Sequence, residues 1–229
     1  MKSLLWKDYR INRLLLIFGF VVCVGPWVIA IARNQYLDWR YGLVILDPEF
    51  WATTASFSLG FSVATFAMLG GNAIAAERAD RSAEFLAYLP VSRWTILASK
   101  SILALSTGAA IWLVNLVAVL IAAPRVAVAM SAADVAANAE IRQVFGVLAA
   151  MSVLLLGAGW FWSAVLNSHG LATGMSFFVL VVVAMGLVGL GFGCGLRNLF
   201  ENWFVSVCVA VGSGGYIVGC VYYLHRLEP

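Results

Sequence analysis

The chain has 229 residues, of which 63% are hydrophobic and 11% charged, and a net charge of +3. Soluble domains carry roughly 25% charged residues, so this chain has too few polar groups to cover a globule and is expected to be an integral membrane protein. Its 14 lysines and arginines are scattered between apolar blocks, which excludes the basic stripe of a nucleic-acid interface.

Residues 2–13 mix Leu4, Leu5, Trp6, Tyr9 and Ile11 with Lys2, Lys7, Arg10 and Arg13. As a helix this stretch is basic and amphipathic, suited to lying in the membrane interface before turning into a first span. It serves equally as a basic lead-in that fixes topology. The apolar run 14–32 follows and ends in Ala30-Ile31-Ala32, a cleavage-site pattern. It is longer than a signal-peptide core and no soluble domain follows, so it reads as a span.

A membrane-crossing helix needs about 20 apolar residues. Six runs meet this, at about 14–32, 51–75, 96–123, 144–166, 171–188 and 203–224. No strand-period alternation of the barrel kind appears, so the expected fold is all-α: a six-transmembrane-helix bundle forming a single transmembrane domain over residues 1–229.

In the second span, Thr54, Ser58, Ser62, Thr65 and Asn72 recur at helical spacing on one face. Such a face either lines a transport pathway or packs against a neighbouring helix with its hydroxyls bonded to backbone. Asn115, midway along the third span, poses the same choice. The Ala-rich stretch 124–143 reads as a short surface helix outside the membrane.

Gly189 to Gly195 spell GLGFGCG. No lysine follows as a phosphate-binding loop requires, and no strand precedes as a dinucleotide fold requires. The glycines are expected to break the fifth helix and open a re-entrant segment over 188–202, between spans five and six. Gly170-x-x-x-Gly174 and Gly215-x-x-x-Gly219 are candidate packing faces.

Catalytic and metal-ligating patterns are absent. Cys23, Cys194, Cys208 and Cys220 lie in apolar segments without ligand spacing. His169 and His225 have no acidic or cysteine partner nearby in sequence, and no metalloprotease or nucleophile-elbow motif occurs. No cofactor is expected on this chain.

With the N-terminus in the cytoplasm, six spans leave nine basic residues inside (Lys2, Lys7, Arg10, Arg13, Arg78, Arg81, Arg93, Lys100, Arg226) and five outside. The positive-inside rule then places both termini, and the loop between spans two and three, in the cytoplasm. In that loop Asp80 and Ser82 are suited to cap a helix over 80–89, and Phe85, Leu86 and Leu89 give it an apolar edge. Pro90 stops it and Ser92 is placed to cap the third span. This helix either docks a soluble partner or rests its apolar edge in the lipid interface.

The run Glu77-Arg78-x-Asp80-Arg81-Ser82-x-Glu84-Phe85-Leu86-x-x-Leu89-Pro90-Val91-Ser92-Arg93, with Lys100 beyond, resembles the second-to-third-span loop of ABC-2 type transporter permeases. The opening Leu4-Leu5-Trp6-Lys7-Asp8-Tyr9-Arg10 looks like the start of such permeases. The resemblance implies an N-terminal interfacial helix, six spans, a cytoplasmic coupling helix over 80–89 and a re-entrant segment between spans five and six. It also implies a dimer of permease subunits, each docking a separate cassette ATPase that binds ATP and Mg, with this chain not itself an enzyme. By resemblance, Phe85, Leu86 and Leu89 enter a groove of the ATPase and Arg81 and Glu84 contact its rim, while Glu77, Pro90, Ser92 and Arg93 complete the loop motif. The implied activity is export of an amphipathic substrate (peptide, antibiotic, lipid or haem-like) by alternating access, in a bacterial inner membrane. Two other readings are a non-transport membrane partner of an ABC ATPase, in assembly or signalling, and an intramembrane enzyme.

Overall fold

The computed structural model describes residues 2–42, 48–79, 92–122, 132–193 and 199–225. Among them are six helices: α1 (Lys2–Tyr41), α2 (Pro48–Ala79), α3 (Arg93–Ala122), α4 (Ala132–Val165), α5 (His169–Gly193) and α6 (Leu199–His225). Each is long and apolar enough to cross a membrane, so the six expected spans are six helices.

Three boundaries differ from expectation. The N-terminal stretch does not form a separate interfacial helix: α1 runs unbroken for 40 residues, about 60 Å at 1.5 Å per residue. No glycine or proline interrupts residues 2–18, and Leu4 and Asp8 are buried, so this end packs against the bundle as a continuation of the first span. The alanine-rich stretch is likewise not an independent surface helix from Ala132 onward, because it continues into α4 without a break. Third, α5 does not stop at Val188 but continues through Gly189 to Gly193. Keeping backbone hydrogen bonds in an apolar setting outweighs the ~1 kcal/mol per residue that glycine costs a helix. Residues 194–198 of the expected re-entrant segment lie outside the described residues, and α6 begins at Leu199.

The bundle is built around α2, which packs against α1, α3, α4 and α5 and is the most buried of the six spans. Its contact with α4 depends on glycine. A β-carbon on Gly70 would collide with the Leu156 carbonyl, and one on Gly159 would come within 2.9 Å of the Gly71 amide nitrogen. The α4–α6 contact is closer still, since a β-carbon on Gly157 would overlap the Gly212 carbonyl. Small residues drive helix association where lipid offers no hydrophobic force. Gly215 and Gly219 face α4 as their spacing suggests, with backbone 3.1 and 3.0 Å from their added β-carbons, whereas Gly174 faces open space. Gly42, at φ +62°, ends α1 with its amide bonded to Asp38 O at 2.8 Å.

α1 and α3 run parallel. Trp27 Nε1 donates to Asn115 Oδ1 (3.1 Å) and Ser99 Oγ to Asp8 Oδ2 (2.6 Å), at sequence offsets of 88 and 91 residues. Near mid-membrane, Ser58 Oγ donates to Cys23 O at 2.6 Å. That carbonyl adjoins Val22 O, whose usual amide partner Pro26 removes, so α2 supplies a hydrogen bond where proline loosens α1.

Candidate functional site

Where α1, α2 and α3 converge near the N-terminal end of α1, four ionisable side chains and a serine form one buried network. Lys7 Nζ lies 2.6 Å from Glu77 Oε1, and Lys100 Nζ lies 3.1 Å from Glu77 Oε2 and 3.7 Å from Asp8 Oδ1. Ser99 Oγ donates to Asp8 Oδ2 at 2.6 Å. Asp8 and Glu77 are each 4% exposed and Lys100 is 6% exposed. Among the described residues two cations thus balance two carboxylates, as burial of charge demands. Leu4 and Ile96 pack together beside them as a small apolar cluster.

Each element contributes for a local reason. Lys7 and Asp8 occupy the inward side of α1, with Leu4 and Asp8 four apart on one stripe. Glu77 falls in the last turn of α2, two residues from its end at Ala79. Its side chain is buried and turns into the bundle. Lys100 is two turns into α3, whose start is capped by Ser92: Thr95 N bonds to Ser92 Oγ at 3.3 Å and the two hydroxyls lie 2.8 Å apart. The network therefore ties α1 to both helices that flank residues 80–91.

No group of three or more metal-ligating side chains occurs among the described residues. A neutral, mutually bonded cluster holds helices in register, and removing one member strands a buried charge.

Of the sequence-derived candidates, Arg81, Glu84, Phe85, Leu86, Leu89 and Pro90 lie outside the described residues. Glu77, Ser92 and Arg93 bracket that segment, with Arg93 exposed at the start of α3. Thr54, Ser58, Ser62 and Thr65 are all buried. Thr54 and Ser62 bond back to Phe50 O (2.8 Å) and Ser58 O (2.7 Å) of their own helix, and Thr65 abuts Gly19 of α1. Asn72 is half-buried. Asn115 is buried, accepting from Trp27 and donating to Ile111 O at 2.9 Å and Cys23 Sγ at 3.3 Å. His169 and His225 are exposed at helix ends.

Sequence reasoning did not assemble the network, although two signals were present. Asp8 is the lone acid in the first 37 residues, amid Lys2, Lys7, Arg10 and Arg13, and Lys100 is a lone charge inside an apolar run. Lys7 and Asp8 of one motif that carries the family resemblance meet Glu77 and Lys100 of the other here in space.

A family model described as "ABC-2 family transporter protein" matches residues 14–202. No curated protein and no solved structure matches the chain.

Proposed function

The chain belongs to the ABC-2 transporter family, and from that premise we propose that it is the permease subunit of an ATP-driven exporter. Membership supports a non-enzymatic, integral membrane role and association with an ABC ATPase. In our reading, the segment 80–89 docks that ATPase through Phe85, Leu86 and Leu89, with Arg81 and Glu84 at the rim. ATP and Mg are bound by the partner. A second permease subunit completes the pathway, and both termini lie in the cytoplasm of a bacterial cell. The cargo class is amphipathic.

The observation that carries this reading is the Lys7–Glu77–Lys100–Asp8 network. A docked ATPase pushing on residues 80–89 displaces the end of α2 and the start of α3. Because Glu77 and Lys100 are bonded to each other and to α1, the displacement reaches three helices together. Thr54, Ser58, Ser62 and Thr65 then serve α1–α2 packing, and Asn72, with surface remaining, is the α2 residue we assign to the pathway wall.

Co-purification from the native membrane in mild detergent, with any associated cassette ATPase identified by mass spectrometry, tests the proposal. A stable complex that Leu86→Arg abolishes is the expected result; no association with any ATPase contradicts it.

A further inference from the structure

An open groove of about 370 Å³ runs between α1 and α3, lined by Leu16, Phe20 and Cys23 on one side and Ser106, Ala110 and Val114 on the other. It is more than twice the ~150 Å³ apolar cavity that accepts benzene. Phe20 is 62% exposed, and Ser106 and Ala110 are exposed, so the groove opens sideways into the bilayer. Ser106 and Thr107 bond their hydroxyls to Leu103 O at 3.1 and 2.7 Å, which leaves the α3 flank of the groove without free hydroxyl donors. Leu16 to Cys23 and Ser106 to Val114 each rise ~10–12 Å, close to the ~15 Å depth of one hydrocarbon leaflet.

The end of the groove nearest the N-terminus of α1 is polar and basic. Tyr9 lies seven residues before Leu16, and Arg13 seven before Phe20, so both continue the α1 stripe that borders the groove. Both are exposed. Arg13 has no ion-pair partner among the described residues, unlike Lys7 and Lys100. An aromatic hydroxyl and a free guanidinium just above a leaflet-long apolar groove match an anionic headgroup above an acyl chain.

We propose that this groove is the resident site of one anionic phospholipid, its phosphate at Arg13 and Tyr9 and one acyl chain between α1 and α3. Bound there, the lipid seals the α1–α3 seam directly beyond the charge network.

Native mass spectrometry of the detergent-solubilised full chain, titrated with dioleoylphosphatidylglycerol or dioleoylphosphatidylcholine, tests this. The wild type should retain one phosphatidylglycerol with a preference of about fivefold over phosphatidylcholine, the share one arginine contributes at a membrane surface. Arg13→Gln should erase the preference, and the control Arg40→Gln, at the far end of α1, should keep it. Ala110→Phe fills the groove and should lose the lipid while keeping wild-type helicity; if it fails to fold, Ser106→Leu on the exposed flank carries the same expectation. Equal retention of both lipids by the wild type, or a preference that survives Arg13→Gln, overturns the proposal. So does a folded groove-filling variant that still holds the lipid. If such a variant loses self-association and not lipid, a second copy of the chain covers the groove instead.

Discussion

Lys7 Nζ and Glu77 Oε1 lie 2.6 Å apart although 70 residues separate them in the chain. The contact joins the first helix to the last turn of the second, and Glu77 in turn holds Lys100 of the third. Glu77 is thus the hinge-pin of the network, with a cation on each carboxylate oxygen. Glu77→Ala leaves Lys7 without its carboxylate and the buried Lys100 ammonium with only Asp8 at 3.7 Å, and the excess positive charge should destabilise the protein by about 3–5 kcal/mol. Lys100→Met added to Glu77→Ala should recover part of that loss. Thermal unfolding in detergent measures both, and strictly additive effects would count against direct coupling.

The Trp27–Asn115 hydrogen bond is buried between α1 and α3. Asn115→Leu leaves the indole N–H without its acceptor, at a cost of about 1–3 kcal/mol. Because Asn115 belongs to a packing node and not to the network at the helix ends, association with the ATPase should persist. A pull-down alongside a melting curve separates the two effects.

Gly157 and Gly212 bring α4 and α6 to backbone contact. Gly157→Ala must push the helices apart, since the new methyl meets a carbonyl and not a flexible side chain. Overpacking of this kind costs about 1–3 kcal/mol. Gly174→Ala, facing open space, should leave the melting temperature unchanged or raise it slightly. Equal destabilisation by both variants would contradict the packing described.

Leu86→Arg and Phe85→Asp should abolish ATPase association while membrane insertion and helical content stay at wild-type levels. Normal association in both variants would remove the docking role assigned to this edge.

The spans were legible because their signal is length: six apolar runs of membrane-crossing size need no knowledge of neighbours. The boundaries were less so. Residues 2–13 have the composition of an interfacial helix, yet the stripe through Leu4 and Asp8 has partners on α3 that only packing reveals. Gly189–Gly193 have the composition of a break, yet the helix persists, because glycine's penalty is local and small against the cost of unpaired backbone in an apolar medium. The network itself was hidden for a similar reason. Asp8, Glu77 and Lys100 are spread over three helices, and their meeting depends on a parallel α1–α3 pair and an antiparallel α1–α2 pair that periodicity does not specify. Ser92, by contrast, acts within four residues of its own position, and its capping role was readable directly.

The central claim is that α1 and the ends of α2 and α3 move as one body when the ATPase acts on the segment between them. Spin labels at Arg10→Cys on α1 and Trp94→Cys on α3, both exposed positions, report it most directly in a cysteine-free background with the ATPase bound. The account predicts that their distance distribution stays fixed when ATP and vanadate trap the closed cassettes, and that Asp8→Ala, which removes the Ser99 and Lys100 contacts joining α1 to α3, lets it shift or broaden. A wild-type distance that changes on trapping as much as the variant's does would contradict it.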